Sequence, residues 1–305
     1  MVLERERAFW KDVFTWAGSV TPLVVPRILG MAVYGLLVGL VHQVFAWERL
    51  GAVPAQFTAA MLVLLLVFRT NASYDRWWEA RKLWGGIVNQ SRNLAIAGLT
   101  WGPPDARWRE AFTRWAAAFP HVCRRSLRGQ RVAPELERLL GAQQARAILA
   151  SQHMPTFTAG RMAALLRDAV DAGGMERFAF LGAENERARL IDHLGGCERI
   201  LKTPLPYIHT VKLRRFVMLY LFWLPFAVVG DAIWLPAVIT ALVAYPLLAI
   251  DEIAVELQDP FSESNLSHLP LEQICKTIEG NLLALLAEPP PAPERIEPAP
   301  GDQLV

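Results

Sequence analysis

Residues 59–84 read AAMLVLLLVFRTNASYDRWWEARKLW, an apolar stretch that passes without a proline or glycine into a charged one bearing Trp77, Trp78 and Trp84. Nothing in it breaks a helix, so one continuous rod is expected to leave a bilayer and enter water. Ala60, Leu64 and Phe68 recur every four residues and so share one face of that helix. Several copies around an axis would turn this face into a hydrophobic throat. Ordinary packing of an apolar face is the alternative, and the spacing by itself leaves both open.

The rest of the composition also points to lipid. The chain has 305 residues, 53% of them hydrophobic, and a mean hydropathy of +0.25, more apolar than soluble domains of this length. A net charge of +2, with Lys and Arg interleaved among Asp and Glu, argues against nucleic acid as a partner. Cys123, Cys197 and Cys275 are odd in number, far apart and never in a CxxC pair, which supports neither a disulfide framework nor a zinc site. The opening residues MVLERERAFWKDVFTW mix acids with bases ahead of any apolar run, unlike a cleaved secretory signal, so a cytosolic N-terminal segment over 1–21 is expected.

Four apolar segments approach the roughly 20 helical residues that a hydrocarbon core requires. They are Pro22 to Trp47, Val53 to Phe68, Val217 to Val229 and Ile233 to Ile250. The third is short unless it begins near Val211, where Lys212, Arg214 and Arg215 could reach toward head groups. Gly230-Asp231 would turn the chain between the last two, while Pro225, Pro236 and Pro246 would be tolerated as kinks. Basic residues gather before the first span, after the second and before the third, whereas the links at 48–52 and 230–232 carry only Arg49 between them. The positive-inside rule then places both termini and the middle region in the cytoplasm.

The expected organisation is all-α: spans one and two over 22–68, a cytosolic helical region over 69–210, spans three and four over 211–250, and a cytosolic helical segment over 251–288. Within the middle region, Asp105 to Arg125 and Pro134 to Ala150 carry helical apolar spacing, with Pro104 and Pro134 suited to first turns. The heptad spacing of Trp101, Trp108 and Trp115 suggests one buried helix face. The proline-rich stretch over 289–305 cannot bury a core and reads as disordered.

Arg76-Trp77-Trp78 follows the second span where an interfacial aromatic and a cation are expected, and membrane anchoring would explain it alone. Four pieces taken together say more. Trp16-Ala17-Gly18-Ser19-Val20 before the first span, FRTNASYDRWWEARKLWG after the second, CERILKTPLP at 197–206 and DEIAVELQDPF at 251–261 resemble the bestrophin family in its bacterial branch, over roughly residues 14 to 280. The resemblance implies a homopentameric ion channel of a bacterial inner membrane, with four spans per subunit and the second helix lining the pore. Its partners would be further copies of itself, the lipid bilayer and monovalent ions.

The same resemblance maps the pore neck onto Ala60, Leu64 and Phe68, with Ala60 smaller than is usual there. Such a constriction gates by dewetting, which needs apolar side chains and no fixed charge. Followed at 3.6 residues per turn, the face continues through Asn71 or Ala72, then Asp75, Glu79 and Lys82. Rings of Asp75 and Glu79 would favour cations such as sodium and repel chloride. Pairing of the two carboxylates with Arg76, Arg81 or other bases is the alternative. Vertebrate bestrophins are anion channels with uncharged residues at both places, so chloride follows from family analogy and a cation from the local charges.

The resemblance also implies a second, cytosolic constriction between Met175 and Leu181, for which Phe178 is the candidate. Glu198 and Arg199 would form ion pairs at the junction, where Pro204 and Pro206 end the preceding helix. The family's calcium clasp is degenerate: Asp259-Pro260-Phe261 is followed by Ser262-Glu263-Ser264-Asn265, a single carboxylate where several are needed, so no cofactor or metal is expected. Asp251, Glu252, Glu256 and Asp259 read instead as partners for Arg214, Arg215 or the arginines after the neck. The six histidines show no HExxH or paired spacing, and GxSxG, GxGxxG and P-loop motifs are lacking, so no enzyme is indicated. A membrane-anchored helical receptor or scaffold without ion flux is the contrasting reading.

Overall fold

The computed structural model describes residues 9–16, 18–48 and 52–287, without the side chains of 52–55. The first eight positions, the link at 49–51 and the proline-rich stretch expected to be disordered lie outside the described residues. The chain is all-helical. The helices are α1 (Thr21–Phe45), α2 (Ala52–Trp101), α3 (Ala106–Leu127), α4 (Pro134–Leu140), α5 (Ala142–Ala150), α6 (Met154–Asp171), α7 (Arg177–Lys202), α8 (Tyr207–Val228), α9 (Leu235–Glu256) and α10 (Leu271–Ala287).

Among the described residues three helices are long and apolar enough to cross a membrane: α1, α2 from Gln56 onward, and α9. Helix α8 has 22 residues, enough in length, but its first turns hold Lys212, Arg214 and Arg215. It starts at Tyr207, so the short apolar segment after Val217 is extended by a basic, interface-compatible turn. Pro225 and Pro246 are accommodated inside α8 and α9. Helix α2 is 50 residues of unbroken helix, about 75 Å at 1.5 Å per residue.

Two compact units emerge, one from residues 1–84 and 195–269, the other from 85–194 and 270–305. In the first, α1, α2, α8 and α9 share an apolar core that includes Val24, Leu66, Leu221 and Ala244. Helices α1 and α9 approach closely because Gly35 and Gly39 have no side chain in the way. A Cβ on Gly35 would lie 2.8 Å from the Pro236 carbonyl oxygen, and one on Gly39 would strike the Ile233 carbonyl. Small residues four apart are what let membrane helices meet at backbone distance.

In the second unit α3 is the central helix, packed against α4, α6 and α10. Phe112, Phe119 and Val122 on it are fully buried. Its start differs by one residue from the expectation: Asp105 is the N-cap, accepting from the N–H groups of Arg107 and Trp108, so Pro104 precedes the cap instead of entering the first turn. The helix expected over 134–150 is broken at Gly141, whose φ of +84° stops α4 before α5 begins. The tryptophan heptad is not one stripe. Trp101 closes α2 and is 63% exposed, whereas Trp115 lies on α3 at 6%.

Candidate ion pathway

Helix α2 has two unlike faces over its first unit. Leu62, Leu66, Arg69, Ser73, Ala80 and Trp84 are buried at intervals of three, four or seven residues and pack inward. On the opposite side Ala60, Leu64 and Phe68 are all exposed, Leu64 at 54% and Phe68 at 60%. The structure therefore brings the three residues expected at a neck onto one bare face of the chain. Asn71, Ala72 and Asp75 continue that face and are exposed as well.

The two acidic residues part company. Glu79 is paired with Arg199 of α7, so its charge is compensated within the protomer. Asp75 has no ion pair with any described residue. Arg199 thus makes the interhelix pair expected of the junction, and Glu198 bonds Lys202 one turn on, 3.4 Å away. Helix α7 ends at Lys202 and α8 begins after Pro206, as the two prolines imply.

Arg76 and Trp77 are both bonded within the chain. Arg76 donates to the carbonyls of Gln258 at 2.7 Å and Thr203 at 2.6 Å, and Trp77 Nε1 donates to the Ser267 carbonyl at 2.8 Å. These bonds tie α2, two turns beyond Phe68, to the α7–α8 junction and to the loop after α9. Trp78 remains 46% exposed. A bare helix reading could not distinguish interface anchoring from this stapling, because the partners are backbone oxygens distant in sequence.

The acidic cluster at and after the end of α9 takes the structural role. Asp251 pairs with Arg69 and, at 2.8 Å, with Arg214. Glu252 pairs with Arg27 at 2.7 Å, a partner the sequence reading missed. Glu256 accepts from the Leu266 N–H. Asp259 accepts from the N–H groups of Phe261 at 3.0 Å and Ser262 at 3.3 Å, so its carboxylate shapes the loop where a calcium clasp would be built. Among the described residues no group of three or more His, Cys, Asp or Glu is arranged for a metal ion. Arg69 directly follows Phe68 yet is only 3% exposed, which fixes the rotation of α2 by burying a cation beside an exposed apolar residue.

In the second unit Phe178 lies in the first turn of α7, 82% exposed, with Glu176 accepting from its N–H at 3.0 Å. Leu181 is also bare, at 55%, while Met175 is buried at 5%. Of the residues in that window, Phe178 is thus the most exposed large apolar side chain. The three cysteines are buried and unbridged. Burial pushes the thiols of Cys197 and Cys275 up to about 12, so neither is a reactive group.

A bare apolar stripe, then a carboxylate with no ion pair among the described residues, lies on a helix stapled from behind. The model of the bacterial and fungal bestrophin proteins matches residues 1–284. The chain belongs to the bestrophin family. A protein of Synechocystis named a voltage-dependent anion channel-forming protein is 33% identical over 294 residues, covering 94% of each chain. The similarly named YneE protein of Escherichia coli K12 is 32% identical over 93% of this chain and 94% of its own. A crystal structure of a bacterial bestrophin homologue from Klebsiella pneumoniae covers 88% of this chain and all of its own, at 28% identity and a TM-score of 0.80. Family membership makes this bestrophin a channel protein and not an enzyme.

Proposed function

We propose that this bestrophin is the subunit of a homopentameric channel that passes small monovalent ions passively across a bacterial inner membrane, with both termini cytoplasmic. The observation that carries the reading is the bare face of α2, where Ala60, Leu64 and Phe68 stand one turn apart with their side chains uncovered. Five copies would close these into a hydrophobic neck that admits ions only when wetted. Phe178 would form the cytosolic aperture.

Anions are the permeant class on the strength of the relatives' names, and the pairing of Glu79 with Arg199 supports this by removing one of two acidic rings. Asp75 favours a second reading, a cation channel for sodium, because its exposed carboxylate has no compensating base among the described residues. Full-length protein reconstituted in liposomes under asymmetric NaCl decides between them: an anion channel reverses near the chloride potential and a cation channel near the sodium potential. Asp75→Asn should shift the reversal toward chloride if that ring acts on the ion. No flux from any preparation would sink the channel reading and leave the receptor or scaffold.

A further inference from the structure

We propose that the cavity between α1, α8 and α9 is a binding site for an anionic phospholipid, its phosphate held by Arg27 and Arg214 and one acyl chain lying on Val217, Met218 and Leu248. The cavity is about 260 Å³ and has these five residues and Asp251 along its wall. It lies where the first turns of α1 and α8 meet the last turns of α9, the end of the spans at which Lys and Arg concentrate. One wall is charged and the floor is apolar, as an interfacial headgroup with its chain requires.

The charges decide the ligand's sign. Arg69 and Arg214 both turn to Asp251, and Arg27 turns to Glu252. Arg69 also lies within Coulomb range of Arg214 and Glu252, so the five groups act as one cluster. Three guanidiniums therefore share two carboxylates, and one positive charge is left over. Arg69 is sealed, with 2% of its side chain exposed, but Arg214 is 46% and Arg27 55% exposed. The surplus charge is thus presented at the open side of the cavity, above an apolar floor. A phosphodiester on a lipid fits both walls, whereas a free ion would use only the charged one. The site is independent of the neck and stands or falls without it.

One surplus cation near a membrane surface gives about a fivefold preference for a singly charged lipid. The test is native mass spectrometry of the full-length assembly in detergent with equal amounts of phosphatidylglycerol and phosphatidylcholine. Retention of phosphatidylglycerol about fivefold over phosphatidylcholine is expected, falling to parity in either Arg27→Gln or Arg214→Gln. Glu252→Gln leaves two surplus cations and should raise the ratio to roughly thirtyfold, a gain that misfolding could not produce. Met218→Trp fills the floor without touching a charge and should abolish retention. Parity in the unaltered protein overturns the proposal. So does a preference that survives Arg27→Gln and Met218→Trp but vanishes in Lys212→Gln/Arg215→Gln, which would assign it to the exposed basic turn of α8. Displacement of the lipid by millimolar inorganic phosphate would overturn the acyl-chain half and leave a plain anion site.

Discussion

The two units each hold a cluster of buried ions, and the two clusters are built differently. In the helical bundle Arg124 and Arg125 close on Glu135 at 2.7 and 2.8 Å, and Arg138 closes on Glu279 at 2.7 Å. Glu272 stands 3.7 Å from Arg124, and His121 bonds Glu279 at 2.9 Å. Three arginines there, with Lys276 on Glu272 at 2.7 Å, meet three carboxylates. The membrane-end cluster of Arg27, Arg69 and Arg214 meets only two. The bundle cluster joins α3, α4 and α10 and carries its spare cation on the exposed Lys276, whereas the membrane-end cluster carries its own on Arg27 and Arg214 at a cavity wall, where it presents a field to whatever enters.

Removing a carboxylate should break each cluster, and this is the largest effect expected. Glu135→Ala strands Arg124, which has only 5% of its side chain exposed, at a cost of about 3–5 kcal/mol. Asp251→Ala strands Arg69 in the same way, with 2% of its side chain exposed, and belongs in the same range. Thermal unfolding of the full chain in detergent would register both as large drops in apparent melting temperature. A cost below about 1 kcal/mol in either would mean that solvent already reaches that cluster.

The closed cluster also sets an acid limit on the fold. Burial alone would raise the Glu135 carboxyl, but hydrogen bonds from Arg125, its own backbone and Arg124 outweigh it and hold the group at about 2, against an ordinary 4.5. Between those values the unfolded chain binds the extra proton, so this stability is full above pH 4.5 and is lost as pH falls toward 2, on the order of 3 kcal/mol. His121 works in the same direction from a higher pH. Burial lowers its pKa below 6.5 despite the pull of Glu279 and Glu135, so protonation of the unfolded chain begins to cost stability as pH drops through 6.5. Melting temperature should decline in two stages on acidification, and His121→Gln should remove the upper stage only. A single decline below pH 4.5 in the unaltered protein would show that His121 is not held neutral.

Much of this was legible beforehand, and what was not has a common cause. The unbroken passage from Ala59 to Trp84 announced a continuous α2, and the acids after the fourth span were readable as partners for Arg214 and the arginines past the neck. Such signals are local in sequence, or balance opposite charges that must meet. Gly35 and Gly39 carried an equally local signal, GLLVG, which marks the close α1–α9 approach and went unread. The partners of Arg76 and Trp77 could not be read at all, since a backbone carbonyl has no sequence signature. Gly141 shows the remaining limit: apolar spacing is continuous across 134–150, and only a positive φ reveals that the chain turns there.

The smallest effect on stability carries the most about function. Phe119 on α3 is fully buried, so Phe119→Ala should cost about 3–5 kcal/mol. Phe68 and Leu64 on α2 are equally apolar but more than half exposed, and their replacement by Ala should fall within about 0.5 kcal/mol in the folded protein. If the bare face lines a neck, the same two changes raise single-channel current, because smaller side chains lower the barrier to wetting. Stability and conductance therefore separate two fates for that face. A face lining a pore loses current control and keeps its stability. A face packed against a neighbouring subunit does the reverse, so a Leu64→Ala/Phe68→Ala chain that melts as early as Phe119→Ala while conducting unchanged current would move the neck off this helix face.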